Sequence, residues 1–252
     1  MIGISCPEFS AQPFEAIIEN VSKEFDHWEI FAEVDHNIKQ IYDNLKVLRS
    51  SYDLSYSIHT PISDTNIGAM TARMRESSVL EMIATAEISY ELGITMLTVH
   101  PGLTSLSVPG MKERAMENSK RSLRLLDRAA NEYGVTFAVE NMPSFSPMLG
   151  KTAEDLNELV DGTNLGICFD VGHANTTGQM ELMISTFKDR IVNVHVHDNS
   201  GKSDEHLTIG DGTVDYPKIL KDLSWYTGNY IIESKSLESA VESKKRLTVL
   251  LE

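Results

Sequence analysis

Eight short apolar runs punctuate the chain, and each is followed by a stretch with helical spacing. This alternation constrains the fold more than any other feature. The runs are Ile2–Ser5, Trp28–Phe31, Leu54–His59, Thr95–His100, Val135–Glu140, Leu165–Asp170, Ile191–His197 and Tyr230–Glu233. They are rich in β-branched residues and nearly continuously apolar, as expected of parallel strands buried on both faces. Between them, Val79, Ile83, Ala86 and Tyr90 recur at helical spacing, and so do Leu123, Leu126 and Ala130, with Gly134 placed to cap the second stretch. Thr152-Ala-Glu-Asp155 reads as a capping box opening a short helix to Val160, and Leu237–Leu251 as a final helix. A doubly wound open sheet would give the same alternation. Eight βα units in 252 residues, with no linker or shift in composition, favour one closed (β/α)8 barrel domain over residues 1–252.

Charge and composition narrow the function classes. The 22 basic residues are outnumbered by 37 acidic ones, for a net charge of −15, which argues against a general nucleic-acid-binding surface. No run of about 18 apolar residues exists to form a membrane helix. The N-terminal MIGISCPEF lacks the basic and apolar regions of a secretory signal. Cys6 and Cys168 lie in or beside apolar runs, so buried free thiols are expected rather than a disulfide. Together these features predict a cytoplasmic protein.

The chemistry lies at the strand ends. In barrels of this kind, the carboxyl ends of the strands converge on one site. Here the third run ends in His59, the fourth in His100, the fifth in Glu140, the sixth in Asp170 and the eighth in Glu233, while the seventh contains His195 and His197. His173 follows Asp170 at a spacing of three, and Asp204 and His206 follow the seventh strand in a loop that continues to Gly210-Asp-Gly212. A lone strand-end histidine is usually a hydrogen-bonded structural residue, and a lone carboxylate is usually a helix cap. An unbroken series over six strands is different, because buried carboxylates without basic partners are costly. Lys202 and Lys235 are the nearest basic residues in sequence, so a divalent cation is expected to balance the charge. The candidate ligands are His59, His100, Glu140, Asp170, His173, His195, Asp204, His206 and Glu233, five imidazoles and four carboxylates. One ion cannot use nine ligands, so two or three ions are expected unless some of these groups serve the substrate. Zinc suits the histidines, while the carboxylates also admit manganese or magnesium. Glu29 lies within the second strand, where a structural role and an approach to the site are both open; His27 and His36 read as surface residues.

The ordered motifs His59-Thr-Pro61, His100-Pro-Gly102, Glu140-Asn-Met-Pro143, Asp170-Val-Gly-His173, His195-Val-His197-Asp198, Asp204-Glu-His206 and Glu233 resemble those of the xylose-isomerase-like TIM-barrel superfamily. That superfamily holds sugar and sugar-phosphate isomerases and epimerases together with endonuclease IV. The epimerase resemblance implies one ion held by Glu140, Asp170, His195 and Glu233, with His173 facing substrate. The endonuclease IV resemblance implies a three-zinc site with counterparts for all nine ligands. The chain departs from endonuclease IV after His59-Thr-Pro61, where Ile62, Ser63 and Asp64 replace a bulky pair that enters DNA, and at the acidic Ala32–His36 segment.

The expectation is therefore a metal-dependent isomerase or epimerase of a small sugar or sugar phosphate. Glu140 and Glu233 would act as acid, base and ligands around an enediolate, and His173, His197 and Lys202 would contact substrate. The loop from Met142 to Gly150, with its prolines and terminal glycine, reads as a lid. The alternative is a zinc phosphoesterase of the endonuclease IV type acting on abasic DNA or a smaller phosphoester.

Overall fold

A computed structural model describes residues 1–252. Its parallel strands are β1 (Ile2–Ser5), β2 (His27–Phe31), β3 (Ser55–His59), β4 (Met96–Val99), β5 (Thr136–Glu140), β6 (Gly166–Asp170), β7 (Ile191–Val196) and β8 (Tyr230–Glu233). They run in sequence order around a closed barrel. Closure is made by β1 on β8, with Ile2 opposite Tyr230 and Ser5 opposite Glu233, which excludes the open sheet. The surrounding helices are α1 (Phe14–Glu24), α2 (Ile38–Leu48), α3 (Ala72–Glu91), α4 (Lys112–Tyr133), α5 (Ala153–Val160), α6 (Val171–Thr177), α7 (Met180–Phe187), α8 (Tyr216–Asp222) and α9 (Leu237–Leu251). No helix is long and apolar enough to cross a membrane.

The packing follows from the runs read in the sequence. Side chains such as Ile4, Ile30, Ile58, Leu97, Phe137, Phe169 and Ile232 are fully buried between the strands and the helical ring. The barrel interior carries a polar layer instead. Ser57 and Asn193 donate to the Glu29 carboxylate at 2.8 and 2.9 Å, and Asn193 also donates to Thr98 at 3.1 Å. This layer lies one step below the strand ends and forms the floor of the mouth.

Several local expectations hold and others need correction. Gly134 caps α4 with φ 65°, a left-handed conformation that a residue with Cβ resists. Cys6 and Cys168 are buried free thiols. Thr152 accepts from the Asp155 N–H as an N-cap, but the Asp155 carboxylate turns to Lys112 at 2.9 Å, so the box is only half made. His27 and His36 are not surface residues. His27 is held between the Ser55 and Ser57 hydroxyls at 2.8 and 2.9 Å, while His36 is fully buried, with Nε2 on the Gln12 carbonyl and its ring edge on Phe14 and Trp28. Hydrogen bonds compensate for the burial of both His27 nitrogens and of His36 Nε2, while His36 Nδ1 has no partner.

Phe137 faces the core with no exposure. Phe137→Ala is expected to cost about 3–5 kcal/mol of stability, read by urea denaturation, because the surrounding barrel cannot collapse fully onto the void.

Candidate metal centre

Glu140, the last residue of β5, stands in the middle of the mouth and is 1% exposed. One carboxylate oxygen, Oε2, lies 3.4 Å from His59 Nε2 and 3.0 Å from His100 Nε2. The other, Oε1, lies 3.3 Å from His195 Nδ1, which is itself 3.0 Å from Glu233 Oε1 and 3.9 Å from Asp170 Oδ2. Beyond Asp170, Asp204 Oδ2 is 3.3 Å from His173 Nε2 and 3.1 Å from His206 Nε2, and Asp204 Oδ1 is 3.4 Å from His197 Nε2. All nine predicted ligands thus converge, in three groups: His59, His100 and Glu140; Glu140, Asp170, His195 and Glu233; and His173, Asp204 and His206, which His197 joins. Within each group the donor atoms lie within 4.8 Å of one another. Donors about 2.0–2.2 Å from a tetrahedral ion are spaced about 3.4 Å apart, so the shorter separations match shared coordination.

The unmet polar atoms test this fit. Both oxygens of Glu140, Asp170 Oδ2, His195 Nδ1 and His197 Nε2 are buried without a hydrogen-bond partner. They approach one another closely yet miss hydrogen-bonding geometry, so their lone pairs converge on shared points. No lysine or arginine forms an ion pair with any of the carboxylates. A divalent cation satisfies a donor set of this kind, which neutral hydrogen bonding leaves orphaned.

Electrostatics hold the carboxylates in ligand form and keep protons on several of the imidazoles. Burial disfavours the charged state of Glu140, but His100 and His195 outweigh it and keep the carboxyl well below the usual range. Burial opposes ionisation of Glu233 and Asp204 too. His195 in the first case, and His173 with His206 in the second, hold those carboxyls down. Conversely, burial lowers the proton affinity of His195, yet Cys168, Glu233, Glu29 and Glu140 raise it well above the ordinary histidine value. His197 is moved to about 9 as Asp170 and Asp204 overcome its burial. A cation entering these groups would displace the protons. Cys168 lies beside Glu140 and His195, but burial pushes its thiol far up. Without a cation the thiol stays protonated.

Local structure aims each ring. His59 Nδ1–H donates to the Thr60 carbonyl at 3.0 Å and His173 Nδ1–H to that of Asn141 at 2.9 Å, which turns both Nε2 atoms inward. His195 Nε2–H donates to Glu29 at 2.8 Å and presents Nδ1. The Asp170 Oδ1 atom caps α6 by accepting from the His173 N–H at 2.6 Å, while Asn141 exchanges hydrogen bonds with the Asp170 backbone at 2.8 and 2.9 Å, leaving Oδ2 free. Gly172 is dictated by close approach, since a Cβ there would lie 2.0 Å from the His197 ring. His206 is held with φ 48°, an uncommon conformation for a residue with Cβ, by a loop that Asp198 organises through the Gly210 and Val214 N–H groups.

His197 stacks on His206 at 4.1 Å and belongs with the third group as well as facing the mouth. Lys202 is exposed, beside Glu205, and bonds to none of the clustered groups. The loop from Met142 to Gly150 is held at its ends by Met142 N–H to Gly150 O (3.2 Å) and Leu149 N–H to Gly102 O (3.0 Å). Sequence reasoning left the role of Glu29 open and missed Asn141 and Asn193, which lie within or just beyond strand runs.

This is a closed (β/α)8 barrel with imidazoles and carboxylates clustered, at spacings that could hold a metal ion, at the carboxyl ends of its strands. The chain belongs to the family described as xylose isomerase-like TIM barrel, which matches residues 19–249. An uncharacterised protein of Methanocaldococcus jannaschii is 34% identical over 99% of this chain and 89% of its own length. A probable endonuclease 4 of Acholeplasma laidlawii is 28% identical over 52% of this chain and 50% of its own. Among solved structures, a D-tagatose 3-epimerase-like protein superposes with TM-score 0.92 and 33% identity, covering 99% of this chain and 96% of that one. Endonuclease IV from Thermus thermophilus superposes with TM-score 0.71 and 20% identity over 99% and 97% of the two chains, which shows a shared fold.

Replacing the carboxylate that orients His195 with a neutral amide tests the support of the centre. Glu29→Gln is expected to weaken metal binding about 10–100-fold in competition with a chromophoric chelator, with the far-ultraviolet spectrum unchanged. Unaltered affinity would reduce Glu29 to a packing role.

Proposed function

We propose that the protein is a multi-metal hydrolase of a small phosphoester. The observation that carries this reading is the presence of three complete donor groups sharing one mouth, two of them through Glu140, rather than one group alone. Isomerisation through an enediolate calls on the central group, with His173 facing substrate, and gives no work to His59 and His100 on one side or to Asp204 and His206 on the other. The sequence placed the isomerase first; the flanking groups reverse the order, because they are as closely spaced as the central one.

Cations held in such groups supply neutralisation of phosphoryl charge and activation of water. The chain's own residues supply the rest. Exposure is graded across the mouth: Glu140, Asp170 and His195 are sealed beneath, whereas the His100 and His206 side chains are each 17% exposed and Asp204 29%. Substrate therefore approaches from the side of the flanking groups. Glu233 Oε1 and Glu140 Oε1, within 3.0 and 3.3 Å of His195 Nδ1, are placed to orient an attacking water and accept its proton. Three centres in one mouth would grip a phosphoryl group on several sides without a lysine or arginine.

The surroundings favour a small substrate over duplex DNA. Ile62 and Ser63, the residues after His59-Thr-Pro61, are tethered through their N–H groups to Glu33. The neighbouring cleft is lined by Glu33, Asp64 and Glu81, which repel a phosphate backbone. A second reading, a ketose 3-epimerase, is supported by the completeness of the Glu140, Asp170, His195 and Glu233 group and by the likeness to the 3-epimerase-like structure. In that chemistry Glu140 and Glu233, on separate strands, would exchange protons with a substrate carbon.

Elemental analysis of zinc-replete protein, run beside assays on p-nitrophenyl phosphate, an abasic-site duplex and D-tagatose, separates these readings. The expected result is more than one ion per chain, phosphoester hydrolysis, and no incision of the duplex. His59→Ala should lose hydrolysis together with part of the bound metal. A single ion, with D-tagatose turned over and His59→Ala still active, would establish the epimerase instead.

Glu140→Gln provides a separate check, because Glu140 is shared by two groups. It is expected to abolish turnover more completely than it lowers metal content, since an amide oxygen still ligates weakly but cannot take a proton. Retention of more than a few per cent of activity would remove Glu140 from proton transfer.

A further inference from the structure

Beside the first donor group lies a cavity of about 240 Å³ that the metal chemistry does not use. His100 forms part of its wall, with the ring nitrogen Nε2 3.0 Å from Glu140, so the cavity adjoins the first donor group through this one ring. Its other walls are Ile62, Ile67, Met82, Leu103 and Met148, and no lysine, arginine, aspartate or glutamate lines it. Its polar side chains are already committed. Ser63 Oγ donates to Glu33 at 2.6 Å and Thr65 Oγ1 to the Pro61 carbonyl at 2.6 Å. Asn66 accepts from the Gly68 and Leu103 N–H groups at 2.9 Å each and donates to the Leu103 carbonyl at 3.1 Å. What the cavity offers a ligand is therefore mainly apolar surface.

The cavity is also held open. Asn66 ties the loop after β3 to the loop after β4, and Gly102, with φ +100°, passes so close that a Cβ would lie 2.7 Å from Gly68 N. The bridge from Leu103 to Met148, with Thr104 N–H on the Pro147 carbonyl at 2.8 Å, ties the loop after β4 to the loop after β5. Three loops stitched by hydrogen bonds make a preformed pocket, which binds at a low ordering cost.

We propose that this cavity is the subsite for the leaving group, and that it selects phosphoesters of an uncharged cyclic alcohol or phenol. The proposal rests on the phosphoester reading of the neighbouring centre. In hydrolysis a water oxygen bonds to phosphorus, the bond from phosphorus to the leaving oxygen breaks, and that oxygen takes up the proton as the ring departs. The volume equals about eight shares of ~30 Å³ each, the space of one liquid water, which suits one or two rings. The lack of any cation excludes a second phosphate, and the walls offer few free hydrogen-bonding groups to repay desolvation of a polyol.

Calorimetric titration of zinc-loaded protein with two non-hydrolysable probes, phenylphosphonate and methylphosphonate, tests the assignment. Phenylphosphonate should bind at least about tenfold tighter, the least that burying an aromatic ring supplies. Leu103→Trp, which fills the cavity while keeping the backbone contacts of residue 103, should abolish that preference and leave methylphosphonate affinity unchanged. Met148→Trp fills it from the opposite wall and serves if the first variant folds poorly. Equal binding of the two probes by the unaltered protein, or a preference that survives both tryptophans, would overturn the subsite and leave the phosphoester reading standing. Failure of both probes to bind would bring down that reading and the subsite with it.

Discussion

Three carboxylates, Glu140, Asp170 and Glu233, are buried in one barrel mouth with no lysine or arginine paired to them, and the rest of the site answers to that constraint. Like charges at this spacing repel strongly in a poorly hydrated interior. Glu29 shows what a satisfied buried carboxylate looks like in the same barrel: it accepts from Ser57, Asn193 and His195. Glu140 lies a single layer above and has no hydrogen-bond donor on either oxygen. Two glutamates of equal burial thus fall into different roles. The first is consumed in holding His195, and the second presents its lone pairs to the mouth.

The barrel turns this constraint into geometry. Parallel pairing brings neighbouring strand ends level, with Phe31 opposite His59, Asp170 opposite His195 and Ser5 opposite Glu233. Donors from separate strands therefore reach one small volume without any strand bending toward it. Rigid strands carry the central group, and α6, capped by Asp170 itself, carries His173. Because one side chain both caps this helix and points an oxygen into the mouth, substitution at Asp170 couples local folding to cation binding.

The strands and the donors at their ends were readable because both leave a mark in one dimension: an apolar run that stops at an ionisable residue. The boundary errors are single residues, as at His100 and His197, which lie just past β4 and β7. The polar floor was harder to read. Glu29, Thr98 and Asn193 sit inside runs whose two faces are both buried, so no alternation in the sequence marks which side faces the barrel axis. His27 and His36 were misjudged for a related reason. A histidine looks exposed in sequence, and only the tertiary structure reveals the serine hydroxyls and the backbone carbonyl that let it be buried.

What separates the two candidate chemistries lies outside the core of the barrel. The group of Glu140, Asp170, His195 and Glu233 stands on four consecutive strands and serves either reaction. The distinction rests on positions 59 and 100 and on the loop bearing Asp204 and His206. That loop depends on a left-handed His206, on Asp198 anchored to three backbone N–H groups, and on Gly212, where a Cβ would fall 2.2 Å from the Asp198 carboxylate. Holding a residue with Cβ in the left-handed region costs stability, which the loop offsets in part by burying Ile209 and bonding to α9 through Ser243 and Arg246. The loop's further return is to deliver a carboxylate and an imidazole to His173 at the open side of the mouth. A chain needing only the central group could dispense with it, and its retention here is the physical reason for weighing the hydrolase above the epimerase.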